Sequence, residues 1–322
     1  MAAIHFEGGV WETQPGETVL DCLLRNGFTI PHSCKAGVCG SCTLRASGAV
    51  AFDRAAQEGM KETFRLQGFF HSCSHRPAVD IEVSSSAAEL ESAAKIVSLD
   101  MLSPSVIRVR LKTEGDFDYF AGQYAVLMRE DGLARSYSLA SLPEEGELEM
   151  HVRLLPGGRM SGWLTNEARS GAGVRLRGPT GTCFYTSGTP DQTLILAGTG
   201  TGLSPLYGIL RDALRLGHTG PIHLFHGARD MSGLYLTSEL RAIAAQHGNV
   251  SYTACLLEGD PGPGVAIGAL DQIIKAQVPK LAGCRAWLCG DPELVRVLKK
   301  KLFLGGMSLN QINADLFLPA AS

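Results

Sequence analysis

Three cysteines crowd the stretch "HSCKAGVCGSC", residues 32–42: Cys34, Cys39 and Cys42, with Cys73 following in "FFHSCSHRP". The spacing is C-x4-C-x2-C plus one distant cysteine. Four thiolates drawn from one tight loop and one remote segment suit an iron–sulfur cluster, and this is the plant-type 2Fe–2S spacing. The sulfides of such a cluster carry negative charge and need backbone N–H donors nearby. Gly37 and Gly40 let the chain wrap without Cβ atoms in the way, and Ser41 adds a hydroxyl. A structural zinc site also uses four cysteines, but its usual pair of CxxC-like motifs is missing here. The remaining five cysteines, Cys22, Cys183, Cys255, Cys284 and Cys289, are scattered. A scattered cysteine is usually a small buried hydrophobe. Cys289 stands apart because it ends an apolar run and opens "CGDPELV".

Three further motifs have the composition of phosphate and ring binders. "RSYS", Arg135 to Ser138, lies at the edge of a strand-like segment, and "GGRMSGWL", Gly157 to Leu164, opens a predicted helix. A helix start rich in Gly and Ser offers free N–H groups and a positive dipole end to a phosphate. Arg135 can add a full charge to the same anion, Tyr137 can stack on a flat ring, and Ser138 can hydrogen-bond to it. "AGTGTGLSP", Ala197 to Pro205, follows an apolar strand and precedes a helix, the setting in which a Gly-rich turn presents its backbone to a dinucleotide. Its glycines, Gly198, Gly200 and Gly202, do not follow G-x-G-x-x-G, so this is a related device. In a parallel sheet, ligands gather at the carboxyl ends of strands, which sets Cys289 and the Gly198 turn on one edge.

The elements that must position these residues differ in texture along the chain. Residues 1–87 combine the cysteine loop with short alternating segments and a helix expected from Thr18 through Leu20, Leu23 and Leu24 to Gly27. "SSSAAELESAAK", residues 84–95, is small and polar and reads as a linker. Residues 95–187 read as strands: "VIRVRLKT", "YAVLM" and "LEMHVRLL" alternate with period two, which suggests an antiparallel barrel or sandwich. Residues 190–322 interleave five strands with helices, which argues a parallel α/β sheet with both faces covered. The whole is therefore a multidomain α+β and α/β chain.

Composition narrows the partners. The 322 residues hold 29 basic and 32 acidic side chains, a balance that gives no reason to expect nucleic acid. No apolar run approaches bilayer length, and "MAAIHFEGGVW" has neither a basic n-region nor an apolar h-region, so no membrane association and a cytoplasmic location are expected. Nine cysteines in such a compartment point to metal or catalysis rather than a disulfide framework.

The ordered set of motifs resembles one family: the NAD(P)H-dependent reductase components of bacterial ring-hydroxylating and related oxygenases. In that family a plant-type ferredoxin precedes a ferredoxin–NADP reductase-like pair of domains, so the resemblance implies a β-grasp ferredoxin domain, an antiparallel β-barrel FAD domain and a parallel α/β nucleotide-binding domain. It further implies that Cys34, Cys39, Cys42 and Cys73 ligate a 2Fe–2S cluster. Arg135, Tyr137 and Ser138 would hold FAD, with Ser138 near the flavin N5. Gly158, Met160 and Ser161 would contact the FAD pyrophosphate through backbone and hydroxyl. Thr199, Gly200 and Thr201 would bind the nicotinamide nucleotide, with Cys289 beside its ring. Phe317 in "NADLFLPAAS" matches the aromatic residue that the family lays on the flavin. In "HGARDMSGLY", Asp230 favours NADH by bonding ribose hydroxyls, whereas Arg229 favours NADPH; NADH is the expected donor, with NADPH the alternative.

The expected reaction is passage of electrons from nicotinamide through flavin to the cluster, because the nicotinamide gives two electrons at once and the cluster takes one. No general acid or base is needed. The expected acceptor is an oxygenase component or an intermediate ferredoxin, and a monomer is expected. Two rivals share the sequence: the same cofactor chain serving a deoxysugar-pathway iron–sulfur protein or another acceptor, and a non-catalytic metal-binding interaction module.

Overall fold

The computed structural model describes residues 2–37, 41–84, 91–259 and 261–317. Cys39 and Gly40 of the cysteine loop lie outside them. The chain divides into two units, Met1–Glu89 and Leu90–Ser322.

The first unit contains β1 (Ala3–Phe6), β2 (Gly9–Glu12), α1 (Val19–Arg25), β3 (Thr43–Ser47), α2 (Glu62–Leu66), β4 (Phe69–His71) and β5 (Ile81–Ser84). Its sheet runs β2-β1-β5-β3-β4. Only the β1–β5 pair is parallel; the others are antiparallel. Helix α1 starts where Thr18 caps it, its side chain accepting from the Asp21 N–H at 3.2 Å, a bond worth about 1 kcal/mol. The helix ends at Arg25 rather than Gly27 because Asn26 turns the chain and Gly27 takes a positive φ. Val19, Leu20, Cys22 and Leu23 bury one helical face against Ile4, Phe6 and Phe70 of the sheet. This is the β-grasp arrangement.

The second unit begins with β6 (Glu91–Ser103), β7 (Val106–Thr113), β8 (Tyr124–Met128), β9 (Ala134–Ser138), β10 (Leu148–Arg153), α3 (Arg159–Asn166) and β11 (Gly173–Thr180). Its antiparallel sheet has the order β10-β7-β6-β11-β8-β9, and a Leu139–Met150 bridge draws the two edges together. The inside is filled by Ile96, Val109, Leu111, Leu127, Met150 and Leu176. Part of the expected linker is strand: Ser84 ends β5 and Glu91–Lys95 pairs with β11, while residues 85–90 lie outside the described set. Small Ala and Ser side chains hide strand alternation, which is why composition alone reads as a tether.

Then follow β12 (Leu194–Thr199), α4 (Leu203–Arg215), β13 (Ile222–Ala228), α5 (Thr237–Gln246), β14 (Val250–Leu256), β15 (Val265–Ile267), α6 (Leu270–Gln277), β16 (Arg285–Gly290), α7 (Pro292–Leu304) and β17 (Ile312–Leu316). The sheet is wholly parallel, ordered β15-β14-β13-β12-β16-β17. Its sixth strand, β15, adds to the five expected; three residues set between glycines are too short for a periodic signal. The order reverses between β12 and β16, and such a switch point opens a crevice at the carboxyl ends of the strands. One face is packed by α4 through Leu206, Ile209, Leu210 and Ala213, the other by α6 and α7 through Ile274, Val295, Leu298 and Leu302.

Candidate functional site

In the first unit, Cys34 is exposed while Cys42 and Cys73 are buried. The Ala36 N–H points at the Cys34 Sγ, 3.4 Å away. Gly37 has φ +70°, and a Cβ there would come within 2.7 Å of the Ser74 Oγ and 3.1 Å of the Ala55 carbonyl. That glycine is needed where the loop crosses the segment carrying the fourth cysteine. Ser72 ties the two segments with its N–H and hydroxyl, both donating to the Cys42 carbonyl at 3.1 and 2.8 Å. Burial pushes the Cys42 thiol up, and the adjacent Cys73 contributes to the shift. Among the described residues no three ligands converge on a point. A binuclear cluster does not ask for that, because four thiolates are shared between two irons. The buried Cys42–Cys73 pair and the Ala36 N–H aimed at the Cys34 sulfur therefore fit the group.

In the second unit, β9 places Arg135, Tyr137 and Ser138 in succession. The Arg135 guanidinium donates to the Ala134 carbonyl (2.7 Å). Burial pushes the Tyr137 hydroxyl up to about 12, so it stays a donor. Helix α3 opens at Gly158 with no side-chain cap, leaving its first N–H groups to another partner. A Cβ on Gly158 would lie 2.4 Å from the Ser161 Oγ and 3.0 Å from the Leu155 carbonyl, so this cradle admits only glycine. The Met160 side chain belongs to the barrel core, which leaves its backbone for a ligand. The Ser161 hydroxyl accepts from the Leu155 N–H (3.2 Å) and donates to the Gly158 carbonyl (3.3 Å), shaping the turn. An uncapped N-terminus, a cradle without Cβ and an arginine on β9 of the same barrel have the chemistry to fit a pyrophosphate.

The parallel sheet brings the remaining residues to one rung. Register pairs His226 with Gly198, Gly198 with Cys289, and Cys289 with Asp315, across β13, β12, β16 and β17. Asp315 reaches across to the barrel: Ser138 Oγ donates to its Oδ2 at 3.3 Å. Burial pushes the Asp315 carboxyl up, against the Ser138 bond. Ser204, near the start of α4, donates to the Ser138 carbonyl at 3.0 Å. Ser138 is thus held from two sides by the parallel sheet's edge. Asp315 was missed in the sequence; only its position two residues before Phe317 hinted at it. Phe317 itself is half-buried, and its N–H donates to the Gly290 carbonyl (2.9 Å).

The glycines of the turn divide by role. A Cβ on Gly198 or Gly202 would meet the Cys289 carbonyl at 2.8 or 2.2 Å, and one on Gly290 would meet the Thr199 carbonyl at 2.8 Å. Those three let two backbones cross. Gly200 differs: it has φ +52° and open space around its Cβ position, in the 3-10 turn Gly200–Gly202 where Thr201 also lies. It is the member of the set free to approach a ligand. Cys289 is fully buried, its Sγ 3.5 Å from that of Cys183. Burial, then Cys183, pushes its thiol well up, so it is a neutral thiol and not a nucleophile. Asp230 lies at the strand end after β13, its carboxylate accepting from the Ser232 N–H (2.9 Å) and hydroxyl, and Arg229 pairs with Glu258 at 2.6 Å.

Beneath the turn runs a polar chain that the motifs did not announce. Arg110 donates to Glu149 (3.2 Å), Glu149 pairs with the His151 Nε2 (2.9 Å), and the His151 Nδ1 meets the Tyr235 hydroxyl (3.1 Å). Burial pushes the Glu149 carboxyl up, but His151, Arg108 and Arg110 outweigh it and hold the group at about 2. Burial in turn lowers His151. A carboxylate facing a neutral imidazole sets the tautomer: Nε2–H donates to Glu149, and Nδ1 accepts from Tyr235. The outer end opens on a 260 Å³ cavity lined by Arg108, Arg110, Tyr207, Arg211 and Glu239. At the inner end His226 is fully buried; neither ring nitrogen makes a well-formed hydrogen bond, and the Gly200 backbone acts on the ring only weakly.

Known proteins resemble this chain along its length. Residues 7–78 match the 2Fe-2S iron-sulfur cluster binding domain, 93–185 the oxidoreductase FAD-binding domain and 196–300 the oxidoreductase NAD-binding domain. A ferredoxin–NAD(P)+ reductase component of naphthalene 1,2-dioxygenase/salicylate 5-hydroxylase systems from Ralstonia is 33% identical over 314 residues, 95% of each chain. The chain belongs to this reductase family. The reductase subunit of an aromatic O-demethylase from Amycolatopsis is 32% identical to the reductase over 99% of each chain. The crystal structure of the Amycolatopsis cytochrome P450 reductase GcoB superimposes on it with TM-score 0.70 and 31% identity, over 100% of each chain. The reductase is accordingly an FAD, NAD(P)H and 2Fe–2S oxidoreductase with the fold that its motifs implied.

Proposed function

We propose that this reductase takes electrons from NADH, passes them through FAD to its 2Fe–2S cluster, and delivers them singly to an oxygenase component or an intermediate ferredoxin. The observation that carries the reading is the meeting of Ser138 on β9 with Asp315 on β17, at the switch-point edge that also holds the Gly200 turn and Cys289. A donor and an acceptor ring can be brought face to face only where a ring-binding strand and a nucleotide-binding edge converge, and the contact between β9 and β17 supports reading them as that pair. FAD, when bound, supplies the conversion between hydride and single-electron chemistry.

Each residue then has a task. Arg135 and the α3 N-terminus at Gly158, Met160 and Ser161 neutralise and hold the pyrophosphate; Tyr137 packs on the ring system; Ser138 offers a hydroxyl at its reacting edge. Thr199, Gly200 and Thr201 bind the nucleotide, and the buried Cys289 thiol forms the apolar floor under the nicotinamide. Phe317 covers the flavin. Cys34, Cys39, Cys42 and Cys73 hold the cluster. Asp230 favours NADH by accepting from the ribose hydroxyls, and Arg229, which would favour a 2′-phosphate, is engaged by Glu258. Relatives named as reductase or electron transfer components of aromatic oxygenases support the acceptor class. A monomer in the cytoplasm completes the proposal, and among the described residues no helix is long and apolar enough to cross a membrane.

The test is anaerobic addition of NADH to purified holoprotein. Flavin and iron–sulfur absorption should both bleach. In Cys42→Ser the flavin should still bleach while reduction of a one-electron carrier that depends on the cluster is lost. A protein that carries zinc and no colour would overturn the assignment.

A further inference from the structure

We propose that His226 is a positioning residue of the nucleotide turn: its ring directs an N–H at the Gly200 carbonyl, and this contact tightens when a dinucleotide occupies Gly200–Gly202 and fixes the turn in its binding shape. This rests on reading that turn as the nucleotide site. Four observations lead to it. His226 shares a rung with Gly198, so its ring stands beside the strand from which the turn springs. Both β10 and β13 pack directly against the turn. The ring is fully buried and neither nitrogen makes a well-formed hydrogen bond, yet the Gly200 backbone already acts on it as a weak acceptor. Gly200, with open space at its Cβ position and a left-handed φ, is the part of the turn whose backbone a ligand can approach.

The relay beneath explains why the ring cannot turn away. Tyr235 stands edge-on between two imidazoles, 5.3 Å from His151 at 88° and 5.3 Å from His226 at 86°. Its hydroxyl is committed to the His151 Nδ1, whose other nitrogen is committed to Glu149. The Tyr235 hydrogen is therefore spent on His151, and the backbone group that acts on the His226 ring is that of Gly200. Burial lowers His226 to about 4, so it is a neutral ring with a single N–H to place.

The experiment is calorimetric titration of the oxidised, FAD-loaded holoprotein with NAD+. His226→Phe keeps the ring volume and removes both nitrogens; it should bind NAD+ roughly tenfold more weakly, the loss of one hydrogen bond. FAD content should be unchanged. Steady-state turnover should show the change in KM with kcat nearly preserved, and His226→Gln, which restores a donor, should recover most of the affinity. In labelled wild-type protein the His226 ring N–H should shift and become protected when NAD+ is added. Wild-type affinity in His226→Phe, or a ring N–H that does not respond to NAD+, would overturn the proposal. If His226→Phe does not fold, the ring N–H measurement alone decides. Absence of NAD+ binding to the wild type would overturn the nucleotide-site reading instead.

Discussion

At the residue scale the decisive pair is Ser138 and Asp315. The serine is short, buried and held at its hydroxyl by Asp315 and at its carbonyl by Ser204. Ser138→Ala should keep FAD and slow its reduction by NADH roughly 10–100-fold, since a small loss of alignment is costly in hydride transfer. Asp315→Asn keeps an acceptor oxygen for Ser138 and should cost less than about tenfold. Anaerobic stopped-flow reduction measures both, and wild-type rates in Ser138→Ala would remove that hydroxyl from the reacting edge. The serine was legible because it sits inside a motif. The aspartate was not, because one carboxylate on a terminal strand looks like any solvated acid until a fold carries it to the other domain.

At the element scale the crossing of the β12 turn over the end of β16 governs what can be changed. Gly202→Ala would force a Cβ to 2.2 Å from the Cys289 carbonyl. It should destabilise the second unit by more than about 2 kcal/mol and abolish nucleotide binding. Gly162 is the contrast: it lies inside α3 with open space at its Cβ position. Gly162→Ala should stabilise by about 0.5–1 kcal/mol. Thermal melts of the two variants check both statements. Most of this architecture was readable from period and punctuation, including the alternation of strand and helix after Gln192. The start of β6 was hidden by its Ala and Ser residues. The motif spacing also lumped three packing glycines with the one that faces space.

At the scale of the whole molecule, burial overrides pattern. "LEMHVR" alternates as an exposed strand should, and Glu149 and His151 do point out of the barrel. The parallel sheet covers that face, so every residue from Leu148 to Val152 is buried. That burial has a pH signature. Folded His151 and His226 are lowered from 6.5, as are His71, His75, His218 and His223. The unfolded chain binds protons near 6.5 that the folded chain refuses, so stability rises with pH through that window and is lost as pH falls from 6.5 toward about 4, the His226 value. Glu149, held at about 2 against 4.5, adds a second loss at still lower pH. Thermal midpoints should therefore drop steadily below about pH 6.5, and His226→Phe should flatten part of that slope.

β17 also sets a time order for assembly. Asp315 is supplied by the last strand of the second unit, so a chain still emerging from the ribosome has its cysteine loop and its Arg135 strand long before the partner of Ser138 exists. The Ser138–Asp315 contact therefore forms only after β17 has joined the parallel sheet, however early β9 is made.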